Sequence, residues 1–169
     1  DYDVATDATP EQIEKVFRRA RIVGRRFRIV HVRIGRDVVE VTTFRNAPRE
    51  DGDSTHTQNG RVLDDNVWGD LDTDAQRRDF TINALYYVPL NNEGIDHVGG
   101  LSDLEHRVLR VIGDPSKRFA EDPVRMLRAV RFVAKLGFEL EERTEQALQQ
   151  SVRFIADVPP ARLFDEVVK

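Results

Sequence analysis

The sequence predicts an α+β chain, a mixed sheet with helices up to about residue 106 followed by an all-α unit. Three observations carry this. Apolar and polar residues alternate from Arg26 to Ile34 and resume from Val38 to Phe44 after a Gly35-Arg36-Asp37 turn, which reads as an antiparallel hairpin. From Leu101 the apolar spacing changes to helical. The 169 residues, 40% hydrophobic and 33% charged, suffice for one ordinary core or for one domain plus part of a second. Two domains are expected, 1–106 and 107–169.

The elements follow in order. Asp1-Tyr2-Asp3-Val4 opens like a strand met at its working end, so residues upstream are expected. Thr9 as N-cap, Pro10 at the first helical position and Gln12 at the third form a capping-box pattern, and Ile13, Val16 and Phe17 recur at helical spacing, so this helix should end near Ala20. Residues 46–75 are dominated by Pro, Gly, Asn, Asp, Ser and Thr, with Val62-Leu63 and Val67-Trp68 as apolar anchors, which reads as a long mobile loop. A short helix from Ala75 or Asp79 through Tyr86, a strand over Leu85–Pro89, a turn at Asn91–Gly94 and a strand over Ile95–Val98 should follow. Asp122-Pro123 then starts a helix that Gly137 stops near Leu136; further helices are expected over Glu141–Gln150 and from Pro160 to Val168.

Composition excludes several functions. With no Cys, disulfides, zinc fingers and Cys nucleophiles are impossible, and a reducing, cytoplasmic setting fits. No apolar run approaches transmembrane length, and the first residues lack a secretory pattern. The net charge of -4 hides segregation: residues 50–79 hold nine acids against three bases, residues 104–135 eight bases against four acids, and six Arg lie between Arg18 and Arg28. A polyanionic partner is compatible with that distribution.

Candidate chemistry begins with carboxylates. Asp1 and Asp3, two apart in an extended segment, face one side, and Glu40 sits on a separate strand. An oxygen-only set of this kind suits magnesium or manganese; solvated loop and sheet residues are the alternative. His31, His56, His97 and His106 show no ligand spacing, and His31 beside the Arg cluster suits phosphate or base contact. Arg77, Arg78, Asp79 and Asn83 group donors that suit a triphosphate and ribose, or else form an exposed helix start. On the Asp122 helix, Arg125, Arg128, Arg131 and Lys135 make a basic stripe, with Val124, Leu127, Val130 and Ala134 expected on the buried side.

Three strings in register resemble one family. Asp-Tyr-Asp-Val-Ala-Thr-Asp-Ala-Thr-Pro at the start, Arg-Arg-Asp-Phe-Thr-Ile-Asn-Ala from Arg77, and Glu-Asp-Pro-Val-Arg-Met-Leu-Arg-Ala-Val-Arg-Phe from Glu121 are similar to the signature blocks of the class II nucleotidyltransferases, which comprise bacterial poly(A) polymerases and CCA-adding enzymes. The resemblance implies a polymerase-β-like palm followed by a helical neck. It implies Asp1, Asp3 and Glu40 as ligands of catalytic Mg2+ (or Mn2+). Arg77, Arg78, Asp79 and Asn83 would then contact ATP, with Glu121, Asp122, Arg125 and Arg128 facing the incoming base. Arg26, Arg28, His31 and Arg131 would contact RNA or phosphate. Within the family, Val23-Gly24-Arg25-Arg26-Phe27-Arg28-Ile29-Val30-His31-Val32 resembles the poly(A) polymerase branch. The implied activity is template-independent addition of AMP from ATP to RNA 3′ ends with release of pyrophosphate, by a two-metal mechanism. CCA addition to tRNA is the alternative within the family, and a non-catalytic RNA-binding module the alternative outside it. RNA-degradation or RNA-chaperone proteins are the partners that the family implies. The family's Gly-Gly and Arg-Asp segment, upstream of the carboxylate pair, is absent from this sequence.

Overall fold

The computed structural model describes residues 3–24, 28–46, 57–58, 61–62 and 67–168. Asp1, Arg26 and much of the expected 46–75 loop lie outside these residues. The chain divides into two compact units, 1–77 and 78–169.

The first unit is built on a four-stranded mixed sheet. Strand β1 is Val4–Thr6, helix α1 Pro10–Val16, β2 Ala20–Val23, β3 Ile29–Ile34 and β4 Asp37–Thr43, in the sheet order β1-β4-β3-β2. β1 runs parallel to β4, whereas β2–β3 and β3–β4 are antiparallel. Thr9 and Gln12 form the expected reciprocal capping box at α1. The helix ends at Val16, however, and Ala20–Val23 form an edge strand instead of continuing it. The gain is cross-strand: Ala20 and Ile22 pack with Val39 around the buried cluster of Ile13, Val30, Val32 and Val41. α1 therefore covers the face bearing Val30, Val32 and Val41, and Glu40 points to the opposite face.

Two short hairpin strands, β5 (Thr57–Gln58) and β6 (Arg61–Val62), fall inside the stretch expected to be loop. Val67 and Trp68 do anchor its end. Asn46 donates to the Val67 carbonyl at 2.8 Å, Gly69 to the Phe44 carbonyl at 2.9 Å, and Trp68 bridges Arg45. Helix α2 runs Leu71–Arg77, earlier than expected. Its start has a local cause: the Asp70 carboxylate accepts from Thr73 N at 2.8 Å while Asp70 N donates to Thr73 Oγ1 at 2.9 Å.

In the second unit a 3₁₀ turn, Thr81–Asn83, replaces the helix expected up to Tyr86, and leads into the hairpin β7 (Leu85–Val88) and β8 (Glu93–Asp96). Helix α3 is Gly100–His106, and β9 (Val108–Leu109) pairs in parallel with β10 (Glu139–Leu140). The remaining helices are α4 (Pro115–Glu121), α5 (Val124–Leu136), α6 (Glu142–Ser151) and α7 (Pro160–Val168). Asp114-Pro115 opens α4 as Asp122-Pro123 opens α5, and the Asp114 carboxylate accepts from Ser116 and Lys117 N–H. Gly137, at φ 67°, ends α5 in the left-handed conformation that glycine adopts without a Cβ penalty.

The core of this unit joins Phe80, Leu109, Val111, Phe119, Met126, Ala129 and Ala147. Phe80 and Phe119 are fully buried, each contributing about 2–3 kcal/mol of transfer free energy. α5 corrects one expectation. Its buried residues are Val124, Met126 and Ala129, whereas Val130 and Ala134 are exposed. The helix is rotated from the expected orientation because its arginine side is itself packed, as shown below. Among the described residues, no helix is long and apolar enough to cross a membrane. The whole is a mixed α/β palm-like sheet followed in sequence by a helical neck, α4–α7.

Asp96 closes β8 and accepts backbone N–H donors from Val98, Gly99, Gly100 and Leu101 at the start of α3. Burial acts to raise its pKa, and these four donors outweigh burial, so the carboxyl lies below its ordinary value. A depressed folded-state pKa contributes stability above the unfolded pKa, and that contribution is lost as pH falls through the folded value. The stability difference between wild type and Asp96→Asn, measured by urea unfolding, is therefore expected to be largest near pH 7 and to shrink below about pH 4. A difference independent of pH would refute the charge-based account.

Candidate functional site

The first unit presents an acidic and basic row across its sheet. Val4, the first residue of β1, pairs with Val41 on the parallel strand β4, so Asp3 immediately precedes Val4 as Glu40 immediately precedes its partner Val41. Adjacent strands lie about 4.8 Å apart, and residues in register share a face. His31 pairs with Glu40 across β3–β4, and Arg21 pairs with His31 across β2–β3. His31 Nε2 lies 3.4 Å from Glu40 Oε1, and about half of the Glu40 side chain is exposed. Asp3 is exposed as well.

Asp3 and Glu40 carry exposed carboxylates, hard oxygen donors of a kind that fits Mg2+ or Mn2+. Asp1, expected to complete the set, lies outside the described residues. Among the described residues, no group of three or more acidic or imidazole side chains converges. Arg28 is committed elsewhere, donating to Glu11. Arg77 closes α2 in this first unit.

The second unit gathers the other two sequence blocks through arginine–carboxylate contacts. Asp79 Oδ1 accepts from Phe80 N at 2.9 Å and Asn83 Nδ2 at 3.0 Å, while Oδ2 accepts from Arg128 Nε at 2.7 Å. Arg128 also lies 3.5 Å from Glu166 Oε1, and Arg131 Nε donates to Glu166 Oε2 at 3.0 Å. Both guanidiniums stack near the Phe132 ring, at 5.7 and 4.7 Å from its centroid. Arg78 lies over the Tyr86 ring.

Nearer the start of α5, Arg125 donates to Glu121 Oε2 at 3.1 Å and to the Arg118 carbonyl at 2.9 Å. Asp122, the C-cap of α4, accepts from Val124 N at 3.3 Å and from Arg162 at 3.0 Å, while Pro123 takes the N-cap position of α5 where Asp122 was expected. The cation on Asp122 is thus Arg162 of α7, and Arg125 pairs with Glu121. Arg118, Arg162 and Glu166 were missed. Their sequence signal is charge alone, because the Arg78 carbonyl, Arg131 and Asp122 that they meet lie 35 to 40 residues away.

The protonation of this network follows from burial. Desolvation presses the Arg128 pKa down, and the Asp79 and Glu166 carboxylates more than restore it, so the guanidinium sits above its ordinary value. It stays charged at any pH the fold survives.

Comparisons with known proteins give the family. Residues 1–110 match the family model described as "Poly A polymerase head domain", and residues 137–169 match "Probable RNA and SrmB- binding site of polymerase A". The chain belongs to the class II nucleotidyltransferases. It is 50% identical to poly(A) polymerase I of Escherichia coli O6:H1 (strain CFT073) over its whole length, covering 37% of that relative. It is 39% identical to the CCA-adding enzyme of Lactobacillus helveticus, again over its whole length and 41% of the relative. Among solved structures, the Bacillus stearothermophilus CCA-adding enzyme in complex with CTP aligns with a TM-score of 0.80 at 34% identity, covering 96% of this chain and 37% of that one. The chain thus spans about two-fifths of the length of its relatives and is a catalytic nucleotidyltransferase core of the type shared by both enzymes.

Glu166 is buried, with Arg128 and Arg131 on its two oxygens. Replacing it by Ala leaves both guanidiniums without that anion. Full burial would make this cost 3–5 kcal/mol; because Arg128 is 31% and Arg131 18% exposed, about 2 kcal/mol is expected. Chemical denaturation of Glu166→Ala measures this, and a change below ~0.5 kcal/mol would show that solvent replaces the carboxylate.

Proposed function

We propose that this chain is the catalytic core of an enzyme that extends RNA 3′ ends without a template, with ATP as its preferred nucleotide. The single observation that carries the reading is the parallel pairing of β1 with β4, which sets Asp3 immediately before Val4 and Glu40 immediately before its partner Val41, on a chain that belongs to one nucleotidyltransferase family. Domains 1–106 and 107–169 correspond in this proposal to palm and neck.

The reaction forms a bond between the RNA 3′-oxygen and the α-phosphorus and breaks the bond from that phosphorus to the β-phosphate bridge, releasing pyrophosphate; the hydroxyl proton is lost. Asp1, Asp3 and Glu40 would hold Mg2+, or Mn2+, which when bound supplies Lewis-acid stabilisation of charge on the attacking and leaving oxygens. Arg77 and Arg78 would donate to phosphate oxygens, a role that planar guanidinium suits and that persists across the physiological pH range. Asp79 and Asn83, already bonded to each other, would offer the sugar side a fixed acceptor and donor pair. Glu121 would hold Arg125 against the incoming base, and Arg162 would hold Asp122, whose oxygens can accept from the exocyclic amine of adenine. Arg26, Arg28, His31 and Arg131 would contribute positive charge toward RNA phosphates, with Arg28 and Arg131 partly neutralised by Glu11 and Glu166. A cytoplasmic setting and contacts with RNA-degradation or RNA-chaperone proteins belong to this proposal.

Poly(A) addition is supported by the higher identity to poly(A) polymerase I, 50% against 39% for the CCA-adding enzyme. CCA addition is the second reading, and fold similarity supports it more strongly, since solved CCA-adding and tRNA-processing enzymes carry the structural matches. The deciding experiment supplies the full-length protein with an oligoadenylate primer or a tRNA lacking its terminal CCA, each with ATP, CTP, GTP or UTP alone. Long ATP-only extension of the oligoadenylate supports polyadenylation. Two C additions followed by one A, confined to tRNA, would replace it with CCA repair.

Two substitutions test the residues. Asp3→Asn should lower primer extension by at least ~100-fold with little change in melting temperature, since it removes one negative oxygen ligand without changing volume. Activity within ~3-fold of wild type would remove Asp3 from the machinery. Arg125→Ala should reduce the ratio of kcat/KM for ATP over CTP, because a lost polar contact that discriminates bases costs about 1–3 kcal/mol. An unchanged ratio with a lower melting temperature would assign Arg125 to holding Glu121 alone.

A further inference from the structure

Arg118 lies in the last turn of the short helix α4 and is absent from every role assigned so far. Its side chain is 15% exposed, less than the Arg125 side chain beside it at 18%. One end of its guanidinium, NH2, donates to the Arg78 carbonyl at 2.6 Å, and the other, NH1, to Glu121 Oε2 at 3.1 Å. Its own carbonyl accepts from Arg125 NH1 at 2.9 Å, and Arg125 NH1 also reaches the same Glu121 oxygen at 3.1 Å. Arg118 therefore touches the backbone of the Arg78-Asp79 block with its side chain, and holds Glu121 and Arg125 with side chain and backbone together.

Resting on the nucleotide-site reading above, we propose that Arg118 is a positioning residue that sets the Glu121–Arg125 pair relative to the Arg78-Asp79 backbone and through it the choice of incoming base. The physical requirement is two acceptors at opposite ends of one planar cation. A guanidinium spans a carbonyl and a carboxylate in a fixed fork; the single nitrogen of lysine cannot occupy both ends. Two arginines on one carboxylate oxygen also leave an excess of positive charge at this locus. Burial, reinforced by the neighbouring Arg125 charge, presses the Arg118 pKa down, and Glu121 and Asp79 oppose that pressure. The cluster is thus held in place by opposed forces, and losing one member moves the others.

The test uses the full-length protein with Arg118→Lys, Glu121→Gln, the double variant and Arg125→Ala. For each, kcat/KM is measured with ATP and with CTP, together with KM for the RNA primer and the melting temperature. Arg118→Lys should lower kcat/KM for the preferred nucleotide by ~10-fold and shrink the ATP-to-CTP ratio by ~5-fold, while primer KM stays within ~2-fold. Glu121→Gln should shift the ratio in the same direction, which keeps the proposal testable if Arg118→Lys does not fold. In the double variant the second substitution should cost less than ~3-fold, because the connection is already broken. A purely structural Arg118 gives a lower melting temperature with all nucleotides reduced alike and the ratio unchanged, and that result overturns the proposal. If Arg125→Ala moves the ratio and neither Arg118→Lys nor Glu121→Gln does, positioning by Arg118 alone is refuted. If Arg125→Ala leaves the ratio unchanged, the base-site reading falls and this proposal with it.

Discussion

A buried guanidinium must find an anion or a carbonyl, and in the second unit that requirement organises everything around α5. Arg118, Arg125, Arg128 and Arg131 are between 15% and 31% exposed. Withdrawing each from water costs several kcal/mol unless its donors are satisfied. The acceptors come from four places: Asp79 after α2, Glu121 at the end of α4, Glu166 on α7, and the backbone carbonyls of Arg78 and Arg118. α7 is tied to α5 by Glu166, and the same α7 reaches Asp122 through Arg162. A helix whose polar side is bonded in this way cannot rotate to bury an apolar stripe instead, so Val130 and Ala134 are left facing water.

The first unit obeys a different constraint. Its site depends on strand register, since a slip of one residue between β1 and β4 would send Asp3 to the α1-covered face while Glu40 stayed outside. The observed register pairs Val4, Ala5 and Thr6 with Val41, Thr42 and Thr43, and Phe44 N donates to the Thr6 carbonyl at 2.8 Å at its end. Thr43 adds a polar lock: buried, it donates from its hydroxyl to the Ala8 carbonyl at 2.7 Å and so ties β4 to the turn after β1.

Charge density in the sequence was read as a nucleic-acid face, and the structure divides that charge in two. Arg125, Arg128 and Arg131 are spent largely on protein carboxylates, whereas Arg21 shares the open sheet row with His31, Glu40 and Asp3. The pairing does not remove a guanidinium from ligand chemistry. Arg125 has one nitrogen engaged at the Glu121 carboxylate, and fixing it there lowers the entropy lost when a ligand binds. A free arginine stripe would offer more charge and less geometry.

Local signals alone determined the capping box at Thr9–Gln12, the hairpin turn at Gly35, the start of α5 at Asp122-Pro123 and its stop at Gly137, because each depends on atoms within a few residues. The same chemistry operates at Asp70–Thr73 and Asp114-Pro115, again between atoms a few residues apart. The three signature strings also lay in the sequence, and with them the family. Only tertiary structure decided that Ala20–Val23 is a strand, that β1 lies beside β4, which side of α5 is buried, and that Arg118, Arg162 and Glu166 join the arginine–carboxylate contacts around it. Each of these turns on a partner distant in sequence: an edge strand exists through its neighbour, and a charged residue reads as solvated until the chain brings an opposite charge to it.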